Sequence, residues 1–140
     1  MLWQKLCMTE PGEETRMIFE QVASGGCQSY LVACPDTCLG VLIDPEIGLA
    51  NRYYSLATKH GLRIQYIIDT HTHADHFSAS KKISEFVRAP VVMHRSAPAP
   101  YVDIRVDDGD VLKVGNLRFT VMHTPGHTQD SMALVMNDRV

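Results

Sequence analysis

Residues 64–76 read IQYIIDTHTHADH. The first half, Ile64 to Ile68, is apolar on both parities, the pattern of a strand buried on both of its faces. The second half is its opposite: three histidines and two aspartates crowd into residues 69–76. A buried strand that ends this way leads into a solvated polar loop, a capped helix start, or a ligand site at the sheet edge. His71 and His73 stand two apart, so in an extended segment their rings point the same way and form a pincer for one metal ion. Asp75 and His76 follow at once, where a turn aims them at a second ion beside the first. Neutral imidazole with carboxylate suits zinc, iron or manganese. A polar loop, or a helix capped by Asp75 or Ser78, needs no particular residue at most of these positions, so H-x-H-x-D-H favours the metal.

One loop rarely closes such a site, and HTPGHTQDS (123–131) offers the remaining candidates. His127 follows Pro125-Gly126, a turn that can present its side chain at the end of the strand LRFTVMH. His123 sits inside that strand pattern, where packing or a supporting hydrogen bond is its expected task. His94, ending PVVMH, and His60, at a helix C-terminus where the dipole favours it, need no ligand role. Cys34 and Cys38 bracket a turn between two strands and lack the second cysteine pair of a zinc knuckle. DDGD at 107–110 lacks the further ligands of a calcium loop and is expected as an acidic turn opening a strand.

Working outward, MIFEQVA, SYLVAC and GVLID are expected as a strand meander, separated by the turn-rich SGGCQ and PDTC. Leu49, Tyr53, Leu56, Ala57 and His60 recur at helical spacing, with Gly61 where a C-cap belongs. Ala79, Ile83, Phe86 and Val87 define a second helical face, and PVVMH a short strand. DVLKV, LRFTVMH and SMALVMN follow as strands separated by turns. Helices alternate with strands early and strands dominate later, so the fold class is α/β or α+β, a mixed sheet covered by helices.

The 140 residues suffice for one modest domain. Residues 1–16 are expected as a polar N-terminal arm and 17–140 as the domain. At 45% hydrophobic and 21% charged, the composition is that of a globular protein. A net charge of −3 gives no electrostatic reason to expect nucleic acid or an anionic membrane surface. No stretch has the length of a membrane span and residues 1–16 lack the apolar core of a secretory signal, so the expected compartment is the cytoplasm. The four cysteines show no disulfide framework, and free thiols fit a reducing compartment.

THTHADH followed later by HTPGHT resembles the metallo-β-lactamase superfamily, whose signature is H-x-H-x-D-H with a later G-H. VLIDP and the block VDDGDVLKVGNLRFTVMHTPGHTQDSMALVM look most like its persulfide dioxygenase branch, with glyoxalase II hydrolases as neighbours. The resemblance implies an αββα sandwich with the metal site at one sheet edge. In a glyoxalase II-like protein, His71, His73 and His127 would hold one metal and Asp75 and His76 would contribute to a second, with Zn(II) as the ion, one or two per chain. In a persulfide dioxygenase one Fe(II) per chain would sit on His71 and His127. His73, Asp75 and His76 would then organise water, and the catalytic assignment falls on Asp75 and His76. The implied partners are a small-molecule thiol or persulfide, such as glutathione persulfide, and O₂. A rhodanese domain is a further implied partner, because members of the branch are fused to one.

The family's later aspartate, in a GD motif, has no match here: Asp138 precedes the expected strand and is not that residue. The chain is therefore expected to be a C-terminally incomplete domain that self-associates. A third reading follows, a catalytically incomplete metal-binding or assembly module.

Overall fold

The structure, a computed structural model, describes residues 3–6, 17–24, 27–72, 79–126 and 128–136. These contain strands β1 (Trp3–Leu6), β2 (Met17–Ser24), β3 (Cys27–Cys34), β4 (Leu39–Ile43), β5 (Arg63–Ile68), β6 (Val91–His94), β7 (Ile104–Val106), β8 (Val111–Val114), β9 (Leu117–His123) and β10 (Met132–Met136). Two helices, α1 (Ala50–His60) and α2 (Ser80–Val87), flank β5 in sequence. The first seven strands form one sheet in chain order, and β10-β9-β8 form a second. Pairing is antiparallel from β1 to β4 and parallel from β4 to β7. The second sheet is antiparallel throughout.

The change from antiparallel to parallel pairing follows from the connections. Between β3 and β4 a tight turn suffices, closed by the Cys38 amide donating to the Cys34 carbonyl at 2.9 Å. Between β4 and β5 the chain needs a crossover, and α1 supplies it. Gly61 ends α1 at φ 64°, the left-handed cap position, and the Leu62 amide donates to the Ala57 carbonyl at 2.8 Å. α2 provides the crossover from β5 to β6 and ends on Arg88 in the same left-handed region, φ 58°.

Two apolar layers result. Between the sheets lie Val32, Val41, Ile43, Ile68, Val92 and Val106 from the first, against Leu112, Val114, Leu117, Phe119 and Val121 from the second. Strand β9 shows the period of two cleanly: Leu117, Phe119 and Val121 are buried while Arg118 and Met122 are exposed. Each such side chain taken out of water stabilises the sandwich by about 1.5–3 kcal/mol. On the other face of the first sheet, Val22, Leu31, Leu42, Ile64 and Ile67 pack against Tyr53 and Leu56 of α1 and Ile83 of α2. Strands β4 and β5 feed both layers: in β5, Ile64 and Ile67 join the helix side and Tyr66 and Ile68 the side of the second sheet, with the register shifting past Gln65. The layering is helix, sheet, sheet. Among the described residues no helix covers the outer face of the second sheet.

Three details differ from expectation. Phe86 is 72% exposed rather than facing the sheet. Ser80, fully buried and donating to Asp69 at 2.7 Å, turns the inner stripe of α2 towards Ala79, Ser80, Ile83 and Val87. Phe86 is left on the rim against Tyr54, ring centroids 4.7 Å apart. Within the expected arm, Trp3–Leu6 pairs with β2 as an edge strand; TEPGEE lies outside the described residues. The short β7 joins β6 in parallel, too brief to show any periodicity in sequence. Among the described residues no helix is long and apolar enough to cross a membrane.

Candidate metal centre

Because β4, β5 and β6 run parallel, their C-terminal ends share one edge of the sheet, the usual place for a ligand in an α/β layer. Asp44 follows β4, Asp69 to His71 follow β5, and His94 ends β6. Asp44 takes φ 53°, a left-handed position that aspartate tolerates better than most residues, and its amide donates to the Ile68 carbonyl at 2.8 Å. That kink sends its carboxylate across to Thr70. One oxygen accepts the Thr70 amide at 2.7 Å and the other accepts the Thr70 hydroxyl at 2.6 Å. The hydroxyl proton is thereby committed to the carboxylate. The 3.2 Å contact between Thr70 Oγ1 and His71 Nδ1 is then one in which the ring donates, leaving the lone pair on Nε2. An imidazole with Nδ1–H anchored and Nε2 basic is the form in which histidine binds a metal.

The second histidine segment lies alongside. The loop from Thr124 to Ser131 is closed by the Thr124 amide donating to the Ser131 carbonyl at 2.9 Å and by Gly126 N–H to Thr128 O at 3.0 Å. Two hydrogen bonds tie it to the His71 segment. The Met132 amide donates to the Thr70 carbonyl at 2.9 Å, and the Thr72 hydroxyl donates to Asp130 Oδ2 at 2.5 Å. Asp130 is 4% exposed. Burial pushes its pKa up, but hydrogen bonds from the Thr128 and Thr72 side chains and from the Thr72 and Asp130 amides outweigh it, and the carboxyl is held below its ordinary value.

Of the residues expected as ligands, His71 is described and stands at this edge; His73, Asp75, His76 and His127 lie outside the described residues. Among the described residues alone, no group of three His, Cys, Asp or Glu could hold a metal ion. The donor chemistry at His71 fits a metal of the zinc or iron kind, and the Thr70–Met132 and Thr72–Asp130 bonds bring the two histidine segments together.

His123 makes the supporting hydrogen bond, Nε2–H to the Gln129 carbonyl at 2.8 Å. His94 is buried and stacks on His123, centroids 3.8 Å apart and planes within 11°. His60 does more than complement a dipole: its Nε2 lies 2.9 Å from the fully buried Glu20 carboxylate. Residues 107–110 form the expected turn, with Gly109 at φ 86° and the Asp107 amide donating to Asp110 Oδ2 at 2.7 Å. The Asp108 amide, then Arg95 and the His94 and His123 rings, hold the Asp107 carboxyl below its usual range. Asp44, Thr70, Thr72 and Asp130 stand inside VLIDP, THTHADH and HTPGHTQDS, but no role is expected of them from sequence. An aspartate directly after an apolar strand and before Pro45 was the available signal for the first of them. A cleft of about 410 Å³ opens between the sheets beside this edge, with Asp44 and Thr70 at its polar end and Phe19, Tyr30, Phe119 and Met136 on its walls.

Residues 23–140 match the family model described as the metallo-beta-lactamase superfamily. The chain is 31% identical over 124 residues to the mitochondrial persulfide dioxygenase ETHE1 of Homo sapiens, covering 88% of this chain and 48% of that protein. It is 37% identical over 112 residues to a hydroxyacylglutathione hydrolase of Rhodopseudomonas palustris (strain BisA53), covering 78% of this chain and 43% of that protein. The crystal structure of ETHE1 from Myxococcus xanthus superposes with a TM-score of 0.82 at 35% identity, covering 86% of this chain and 54% of that one. The chain thus spans about half the length of the curated relatives it matches. The paired sheets, the histidine segments joined at one edge and the match over residues 23–140 place this chain in the metallo-beta-lactamase superfamily.

Proposed function

We propose that the protein to which this chain belongs is a persulfide dioxygenase. It would oxidise glutathione persulfide, or a similar low-molecular-weight persulfide, with one Fe(II) per chain. The observation that carries the reading is the Asp44–Thr70–His71 relay, which prepares one imidazole for a metal at the edge where the HTPGHT loop is tied. The similarity to the human persulfide dioxygenase and the superposition on the Myxococcus xanthus structure support this branch.

In this reading His71 and His127 would hold the iron, and His73, Asp75 and His76 would support it or organise water beside it. The metal supplies open positions for a substrate sulfur and O₂. Asp44 and Thr70 keep the His71 proton on Nδ1, and Asp130 holds the second loop against the first through Thr72. The outer sulfur of the persulfide is oxidised to sulfite; one O₂ is reduced, one water is consumed and the thiol is released. A cytoplasmic setting, a thiol carrier as partner and a rhodanese domain as partner belong to the same proposal.

The 37% identity to a hydroxyacylglutathione hydrolase favours a second reading, a thioester hydrolase with one or two Zn(II) ions. The test is metal analysis of the longest natural product of the gene, purified without added metal, with oxygen uptake on glutathione persulfide. One iron per chain, oxygen uptake and sulfite support the dioxygenase. Two zinc ions, thioester cleavage and no oxygen uptake would move the assignment to the hydrolase.

A further inference from the structure

His123 is the last residue of β9, directly before the loop that carries His127, and its register partner across the sheet is Met132, where the chain returns. It is fixed at three points. Its amide donates to Asp108 Oδ1 at 2.9 Å, and its Nε2–H donates to the Gln129 carbonyl at 2.8 Å. Its ring lies flat on His94 at 3.8 Å. A carbonyl only accepts, so the His123 proton resides on Nε2.

His94 is itself a rigid support. It is 3% exposed, and its Nδ1 accepts from the Ser96 amide at 3.2 Å with the Ser96 hydroxyl 2.7 Å away. That places the His94 proton on Nε2, which has no hydrogen-bond partner among the described residues and faces Asp107 Oδ1 at 3.7 Å. The Ser96 hydroxyl also lies 3.4 Å from the Gln129 carbonyl. Next to Gln129 is Asp130, gripped by Thr72. The returning limb of the loop is therefore held at two consecutive residues, one by the stacked histidine pair and one by the strand end that carries His71.

We propose that His123, braced on His94, is a positioning residue for His127. It sets the loop by its hydrogen bond to the Gln129 carbonyl, a role that rests on the metal reading above. Packing alone would be served by any flat apolar ring. The position uses a ring with a donor at its far tip, and the two properties can be separated: phenylalanine keeps the stack, glutamine keeps a donor.

The test compares His123→Phe and His123→Gln in the longest natural product of the gene. Co(II) affinity and its visible spectrum are read on loading, and amide exchange at Gly126 and Ser131 is read without metal. His123→Phe should melt near the wild type yet bind Co(II) roughly tenfold more weakly, with an altered spectrum, and exchange these amides roughly tenfold faster. His123→Gln should retain affinity and protection within about threefold. A His123→Phe variant matching the wild type in both readouts overturns the proposal, as does a His123→Gln variant as impaired as His123→Phe. If the wild type itself takes up no Co(II), the metal reading fails and this role fails with it. Normal Co(II) uptake with no effect of either substitution removes the positioning role alone.

Discussion

Thr72 and Asp130 stand 58 positions apart in the chain and are joined hydroxyl to carboxylate. The bond crosses from the end of a buried parallel strand in one sheet to the loop that opens the last strand of the other. Thr72→Val and Asp130→Asn should each lower the unfolding free energy by about 1–3 kcal/mol, the cost of leaving a buried polar group poorly paired. A double-mutant cycle in urea should return a coupling of about 1 kcal/mol or more. Strict additivity would show that the two segments are held by packing instead.

Asp130 also predicts a pH dependence. Its pKa is lowered in the folded chain, so its contribution is complete above the unfolded value, about 3.9, and is lost as the pH falls through the lower folded value. The stability gap between wild type and Asp130→Asn should stay constant from about pH 7 to about pH 5 and shrink below about pH 4. Chemical unfolding across that range checks it; a gap that widens in acid would reverse the sign.

At His71 the relay can be cut without touching the proposed ligand. Thr70→Val removes the hydroxyl that accepts from Nδ1–H, and Asp44→Asn weakens the grip on that hydroxyl while tolerating the left-handed backbone. Metal affinity should fall about 10- to 100-fold for Thr70→Val and less for Asp44→Asn. In the metal-free protein, nitrogen-15 shifts should report the His71 proton on Nδ1, and mixed tautomers in Thr70→Val. Unchanged affinity and tautomer would show the relay to be incidental.

Tyr53 offers a contrast, because its role is structural. Ser29 donates its hydroxyl to the Val22 carbonyl, so the Tyr53 hydroxyl donates to Ser29 at 2.7 Å and accepts the Glu46 amide at 2.8 Å. Burial, ahead of other causes, pushes its pKa up. Tyr53→Phe should cost about 1–3 kcal/mol of stability and leave metal affinity unchanged. A tenfold drop in affinity would extend the site to the α1 layer.

The sandwich was legible wherever a strand serves two layers or alternates between core and water. IQYII is apolar at every position but Gln65 because β5 touches helices on one side and the second sheet on the other. LRFTVMH alternates because β9 has one wet face. Phe86 misled because helical spacing alone does not reveal that Ser80 is buried by its bond to Asp69. The histidines were legible as ligand candidates by type and spacing. Their supports were not: Asp44 and Thr70 lie 26 positions apart and Thr72 and Asp130 lie 58 apart, and only the sheet order brings such pairs together.

The most direct measurement is a crystal structure of the Fe(II)-loaded full-length protein, with anomalous scattering collected at the iron edge. One peak per chain should appear at the C-terminal edge of β4–β6, about 2.1 Å from His71 Nε2 and from a His127 ring nitrogen. A peak that excludes His71, or a His127 placed at another edge of the sandwich, would contradict a shared metal centre.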